Sequence, residues 1–216
     1  MPDFRAQRLN MVESQVRTND VTDVRIQEAM REIPRERFVP TSKQAVAYAD
    51  TIVEIVPGRF LLDPRTFSKL AELAEIEPAD RVLDVGSASG YSTAVLSRLA
   101  HEVIALEEDA ELVRVATDVL PSLGISPRVV QGKLADGYAA GAPYNVIFIN
   151  GGIEELPPAL ERQLAEGGRL VVVLRKGPQG RGYLFLREQG RMSSRADFDA
   201  TVPLLAGFSR PKSFVF

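Results

Sequence analysis

Apolar positions recur at helical spacing in the first third of the chain, then give way to short apolar runs separated by helical stretches. Over residues 5–17, Leu9, Val12 and Val16 fall on one helical face; over 22–33, Ile26, Met30 and Ile33 do the same, and Pro34 ends that helix. A loop with Pro40, Pro57 and Gly58 follows. Asp63-Pro64 has the form of a helix start, with Asp63 as N-cap and Pro64 at the first helical position. Phe67, Leu70, Ala71 and Ala74 are its expected inner face. From Arg81 the pattern predicts strands at 82–86, 103–107, 127–131, 145–150 and 169–174, with helices at 90–100, 109–121 and 154–165. Gly167-Gly168 closes the last helix. Such alternation builds a mostly parallel sheet with helices on both faces, an α/β fold. Gly177-Pro178-Gln179-Gly180 then turns the chain into a strand at 183–186, and two more short strands are expected to finish it, antiparallel at the sheet edge.

A length of 216 residues suits one α/β domain with a helical addition. The expected division is an N-terminal helical and loop region, 1–80, packing on a core of 81–216 that carries the C-terminal antiparallel strands. A net charge of -3 gives no general attraction to nucleic acid or anionic membrane. With no cysteine, disulfides, thiolate catalysis and cysteine-held zinc are excluded; the lone His101 excludes a histidine-rich metal site and reads as a surface residue. Met1-Pro2-Asp3-Phe4-Arg5 has no apolar signal region, and no run approaches the roughly 20 apolar residues of a membrane span. A cytoplasmic protein is expected.

The chemistry concentrates in Arg81-Val82-Leu83-Asp84-Val85-Gly86-Ser87-Ala88-Ser89-Gly90-Tyr91, followed by Val103-Ile104-Ala105-Leu106-Glu107. A buried strand, a glycine turn, a helix and a second strand ending in a carboxylate form the first half of a Rossmann-like nucleotide site. Glu107 stands about 20 residues past the turn, where an acidic group accepts hydrogen bonds from ribose hydroxyls. The turn is G-x-x-x-G, without the third glycine of a dinucleotide fingerprint, and holds no Lys or Arg for pyrophosphate. Asp84 adds negative charge where a phosphate would lie. A cofactor with a ribose, no phosphate and a cationic end fits, which describes S-adenosylmethionine. Gly86 and Gly90 let ligand and backbone approach closely, with Ser87, Ala88 and Ser89 between them. Asp84 either opposes a ligand ammonium or bonds loop amides. Glu108 and Asp109 read as the start and cap of the next helix, with Glu108 also a candidate for the cofactor site. After the third strand, in the segment that holds Leu134, the carboxylate of Asp136-Gly137 either receives an adenine amino group or belongs to a plain Asp-Gly turn.

Over nearly its full length the chain resembles the protein-L-isoaspartate O-methyltransferase family. Leu83 to Leu96 is similar to that family's cofactor loop, and Asp136-Gly137-Tyr138 with Ala142-Pro143-Tyr144-Asn145 to its adenine-side segment. Leu156-Pro157-Pro158-Ala159-Leu160, Gln163-Leu164 and Gly167-Gly168-Arg169-Leu170 resemble the end of its core. The most specific match is Ile33-Pro34-Arg35-Glu36-Arg37-Phe38-Val39-Pro40 with Tyr48-Ala49-Asp50, which lies outside the general methyltransferase core. The resemblance implies a Rossmann-like S-adenosylmethionine methyltransferase fold with an N-terminal helical extension, a protein or peptide substrate, methyl transfer to a peptide carboxylate, and a role in protein repair. The cofactor residues it implies are Asp84, Gly86, Ser87, Ala88, Ser89, Gly90, Glu107, Glu108, Leu134, Asp136 and Gly137; it names no catalytic residue.

Two segments depart from the family. Where members carry Thr-Ile-Ser-Gln-Pro, this chain has Phe60-Leu61-Leu62-Asp63-Pro64, so Leu62 stands at the hydroxyl position and Asp63 at the amide position. Asn145 replaces a usual Asp, and Asn150-Gly151-Gly152 stands where Thr-Ala-Ala is typical. An acceptor carboxylate about 4 Å from Asp63 would be repelled by roughly 4 kcal/mol at an effective dielectric near 20. The strip Arg59–Asp63 is expected beside the methyl-donor pocket, with methylation of isoaspartyl peptides weak or absent and cofactor binding normal. The alternatives are a methyltransferase with a different acceptor and a cofactor-binding homologue with little catalysis; a nicotinamide oxidoreductase ranks below both.

Overall fold

Residues 3–210 are described in the structure, a computed structural model. Helix α1 (Phe4–Met11) begins where Asp3 accepts a hydrogen bond from the Ala6 amide at 3.0 Å. It runs into a π-turn at Val12–Val16 and a 3-10 turn at Arg17–Asn19. The π-turn corrects the expected inner face. Its hydrogen bonds close one residue further along than in an α-helix, so Met11, Val12 and Val16 face inward while Leu9 is 41% exposed. Helix α2 (Val24–Glu32) is capped by Asp23 and stops before Pro34, with Ile26, Met30 and Ile33 buried as expected.

Strands β1 (Val53–Val56) and β2 (Arg59–Leu61) form an antiparallel hairpin apart from the main sheet. Helix α3 (Pro64–Leu73) starts as its sequence requires: Asp63 Oδ1 accepts from the Thr66 amide at 2.8 Å, and Pro64 sits in the first turn. Phe67, Leu70, Ala71 and Ala74 are all buried.

The main sheet follows through β3 (Arg81–Val85), α4 (Tyr91–Leu96), β4 (Glu102–Glu107), α5 (Ala110–Val119), β5 (Arg128–Gln131), β6 (Tyr144–Ile153), α6 (Pro158–Gln163), β7 (Leu164–Lys176), β8 (Gln179–Glu188) and β9 (Arg191–Asp199). Its order is β5-β4-β3-β6-β7-β8-β9, parallel as far as β7 and antiparallel for the last two strands. Helix α6 is shorter than the expected 154–165. Strand β6 runs on to Ile153, Pro157 and Pro158 delay the helix, and Leu164, buried, already pairs with Tyr144. After β8 one further strand forms among the described residues rather than two. Beyond β9 the chain makes a lone parallel bridge between Leu204 and Gly152, and 211–216 lie outside the described residues.

Side-chain alternation divides the core between the sheet's two faces. Val82, Phe148 and Val171 pack with Met30, Phe67, Tyr91 and Leu120 from the N-terminal helices, α4 and the end of α5. Leu83, Ile149 and Val172 pack on the other face with Leu160 of α6 and with Leu205 and Phe208 of the C-terminal tail. The helices that precede β3 therefore share one core with it. Strand order reverses at β3, where the chain first moves outward through β4 and β5 and then returns on the other side as β6. Open sheets of this kind bind ligands outside the carboxyl ends of the strands at that reversal. Among the described residues no helix is long and apolar enough to cross a membrane.

Candidate active site

Gly86 follows β3, Glu107 ends β4 and Asn150 lies in the carboxyl-terminal half of β6. Gly86 (φ 73°) and Gly90 (φ 98°) take left-handed conformations that favour glycine, and between them Ala88 does so with a side chain (φ 51°). Three hydrogen bonds hold the turn: the Gly86 and Ser87 amides donate to Leu106 O at 2.8 and 3.2 Å, and Gly90 N donates to Ser87 O at 2.9 Å. Ser87, Ala88 and Ser89 are buried, and the Ser89 hydroxyl donates to Phe38 O at 2.5 Å, tying the turn to the segment after α2.

Glu107 is fully buried at the end of β4. Its carboxylate accepts from the amides of Ala88 and Glu108 at 2.8 Å and of Asp109 at 3.1 Å. It also accepts from Arg59 Nε at 3.1 Å and from Arg59 Nη2. The oxygens expected to meet a ribose are thus already held by a side chain of the β1–β2 hairpin. Asp109 caps α5 through the Glu111 and Leu112 amides, the helix-start reading, while Glu108 is exposed.

Asp84 takes its hydrogen bonds from side chains rather than from loop amides. It is fully buried and accepts from Ser92 Oγ at 2.8 Å, Thr93 Oγ1 at 2.5 Å and Asn150 Nδ2 at 2.5 Å, so it ties β3 to α4 and β6 from inside. Burial outweighs these three donors and pushes its carboxyl up to about 6. Leu134 is buried in a 3-10 turn with Asp136, whose side chain is exposed. The carbonyl of Asp136 and the amide of Tyr138 are both held by Gln163, at 2.7 and 2.8 Å. Gly137 (φ 64°) has no room for a side chain, since a Cβ there would lie 2.5 Å from Gln163 Oε1. The Asp-Gly turn is therefore built into the packing and leaves the Asp136 carboxylate facing solvent.

The strip Arg59–Asp63 does lie against this centre. Leu62 shares with Gly86, Ser87, Tyr91 and Asn150 a crevice of about 10 Å³, the size of one water. Arg35 stands behind it, fully buried, donating from Nε to Ala47 O and from Nη2 to Leu62 O, both at 2.7 Å, with its guanidinium 4.7 Å from the Tyr91 ring centre. Burial holds its ionisation below the usual arginine range. Its Nη1, Ser87 Oγ and Tyr91 Oη have no hydrogen-bond partner among the described residues. A wider hollow of about 350 Å³ lies at the amino ends of β4 and β5 near the exposed His101, away from the strand reversal.

A doubly wound sheet, a glycine turn without Lys or Arg and a carboxylate ending the second strand define a Rossmann-like methyltransferase fold. The family model for protein-L-isoaspartate(D-aspartate) O-methyltransferase matches residues 6–201. A Koribacter versatilis protein-L-isoaspartate O-methyltransferase is 36% identical over 204 residues, covering 94% of this chain and 92% of that protein. One from Methylorubrum populi is 36% identical over 206 residues, covering 94% and 96%. The chain belongs to the protein-L-isoaspartate O-methyltransferase family. Among solved structures, a protein-L-isoaspartate O-methyltransferase superposes with a TM-score of 0.81 at 23% identity over 95% of this chain and 67% of that one. A Plasmodium falciparum structure, described as a β-aspartate methyltransferase in complex with S-adenosyl-L-homocysteine, gives 0.76 at 21% identity over 92% and 97%. These two likenesses show the fold.

Sequence reasoning missed the long-range partners of Glu107 and Asp84. Arg59 is 48 residues from Glu107, and Asn150 is 66 from Asp84. The one local signal was a lone cation opening an otherwise apolar strip, Arg59-Phe60-Leu61-Leu62.

Proposed function

We propose that this chain is an S-adenosylmethionine-dependent methyltransferase acting on the carboxylate of isoaspartyl residues in cytoplasmic proteins or peptides. The observation that carries the cofactor half is Glu107: a buried carboxylate at the end of β4, set against a side-chain-free Gly86 and a turn without a cation for phosphate. Those residues fit a ribose beside a methionyl sulfonium, which supplies an electrophilic methyl group when bound. Glu107 would hold the ribose hydroxyls at roughly 1.5–3 kcal/mol per charged hydrogen bond. Gly86 to Gly90 would line the methionyl end, with Leu134, Asp136, Gly137 and Glu108 on the adenosine side and Asp84 supporting the turn from below.

The acceptor half needs no base. An isoaspartyl carboxyl has an ordinary pKa near 4 and is ionised at neutral pH, so the protein's task is to align it with the methyl group. The charge of Asp63 is engaged at the start of α3, where its Oδ1 bonds the Thr66 amide, which weakens the expected repulsion. A cofactor-binding homologue with little catalysis is not favoured, given the family match over residues 6–201.

Transfer of labelled methyl from S-adenosylmethionine to an isoaspartyl peptide, with the matching aspartyl peptide as control, tests the whole reading. Label on the isoaspartyl peptide alone is expected. No label on either, with the protein folded, would remove the reading.

A further inference from the structure

Arg59 closes the β1–β2 hairpin onto the glycine turn. It is 8% exposed, grips Glu107 through Nε and Nη2, and places Nη2 3.1 Å from where a Cβ on Gly86 would lie. A guanidinium edge and a ribose diol offer a carboxylate the same thing, two donors side by side. The three backbone amides on Glu107 can stay when a diol arrives; Arg59 cannot. Further along the same strip, Phe60, Leu61 and Leu62 supply no polar side chain, the Leu62 carbonyl is already held by Arg35, and the Asp63 carboxylate caps α3. A carboxylate seated beside Leu62 therefore meets no hydroxyl from this strip. A displaced Arg59 is a paired donor of the right charge, freed by the event that loads the site.

We infer that Arg59 is an exchange arm: it pairs with Glu107 until a ribose diol takes that carboxylate, then turns to the carboxylate of the acceptor. The inference rests on the methyltransferase reading above and adds to it an order of binding, cofactor before acceptor, and selection for an anionic acceptor by a residue of the strip itself. The arm works in one direction because a guanidinium leaving a buried carboxylate needs another anion or water, and the acceptor brings the anion.

The test uses the full chain, S-adenosylhomocysteine as the binding probe in calorimetry, and an isoaspartyl peptide at saturating cofactor. Arg59→Met keeps much of the apolar stem and removes the charge. It should bind S-adenosylhomocysteine at least fivefold more tightly than the unmodified protein and raise the peptide KM at least tenfold. Arg59→Lys keeps the charge without the fork and should move both quantities in the same directions by less, which serves if the methionine variant folds poorly. Equal or weaker probe binding by a folded Arg59→Met protein overturns the exchange. Tighter probe binding with an unchanged peptide KM overturns the acceptor role. If neither the unmodified protein nor Arg59→Met binds the probe, the methyltransferase reading itself fails and takes the inference with it.

Discussion

Two buried carboxylates, Asp84 and Glu107, sit on neighbouring strands and have opposite duties. Asp84 is held inside by three side-chain donors, its carboxyl pushed up to about 6 from 3.8 by burial. Because the folded value is raised, the folded state holds its proton longer than the unfolded chain. Stability from this group is full below about 3.8, is lost as pH rises towards 6, and is flat above that. Denaturant unfolding of the unmodified protein and of Asp84→Asn between pH 4 and 8 should show their stability difference moving against the unmodified protein up to about pH 6 and constant thereafter; a difference independent of pH would refute this. Glu107 instead depends on a charged partner, Arg59. Glu107→Gln leaves Arg59 without its anion, which costs about 3–5 kcal/mol for a buried pair, and should weaken S-adenosylhomocysteine binding at least tenfold in calorimetry. Adding Arg59→Met to Glu107→Gln should recover much of the stability but not the binding. Recovery of both would place the ribose elsewhere.

Elements were legible where their signal is local. The start of α3 is written in two adjacent residues, Asp63-Pro64, and the structure has the cap and the proline where those residues require them. The run from β3 through α4 to β4 follows from apolar periodicity and two glycines. Leu9 was misjudged because a π-turn changes the period within a helix whose residues all tolerate an ordinary one. The Arg59–Glu107 clamp was out of reach because a hairpin brings it together across 48 residues. At the level of α3 the cap and the charge of Asp63 can be separated. Asp63→Asn keeps a side-chain acceptor and should stay within about 0.5 kcal/mol of the unmodified protein, whereas Asp63→Ala should lose about 1 kcal/mol. If Asp63 is turned away from the acceptor, the peptide KM should be the same in both. A several-fold fall of KM in Asp63→Asn would show that its charge reaches the acceptor.

On the scale of the molecule the candidate site is a narrow seam between two walls drawn from distant parts of the chain. The hairpin supplies one. The C-terminal tail supplies the other as it returns across the end of β6: Gly152 N donates to Pro203 O at 2.8 Å and Leu205 N to Gly152 O at 2.9 Å. Leu205 is 2% exposed and fills the space that Gly151 leaves open; a Cβ on Gly151 would lie 2.5 Å from Leu205 Cγ, and one on Gly86 3.5 Å from Leu205 Cδ1. This fit explains why small residues suit Gly151-Gly152, where the sequence departs from the family pattern. It also predicts a coupling that neither residue would show alone. Leu205→Ala should cost about 2–4 kcal/mol through the cavity it opens, and Gly151→Ala about 1–3 kcal/mol by overpacking. In the double variant the new methyl group enters the space that Leu205 vacates, so the two costs should fall short of their sum by at least about 1 kcal/mol in denaturant unfolding. Strict additivity would mean that the tail does not pack on Gly151, and the second wall of the seam would have to be sought in another part of the chain.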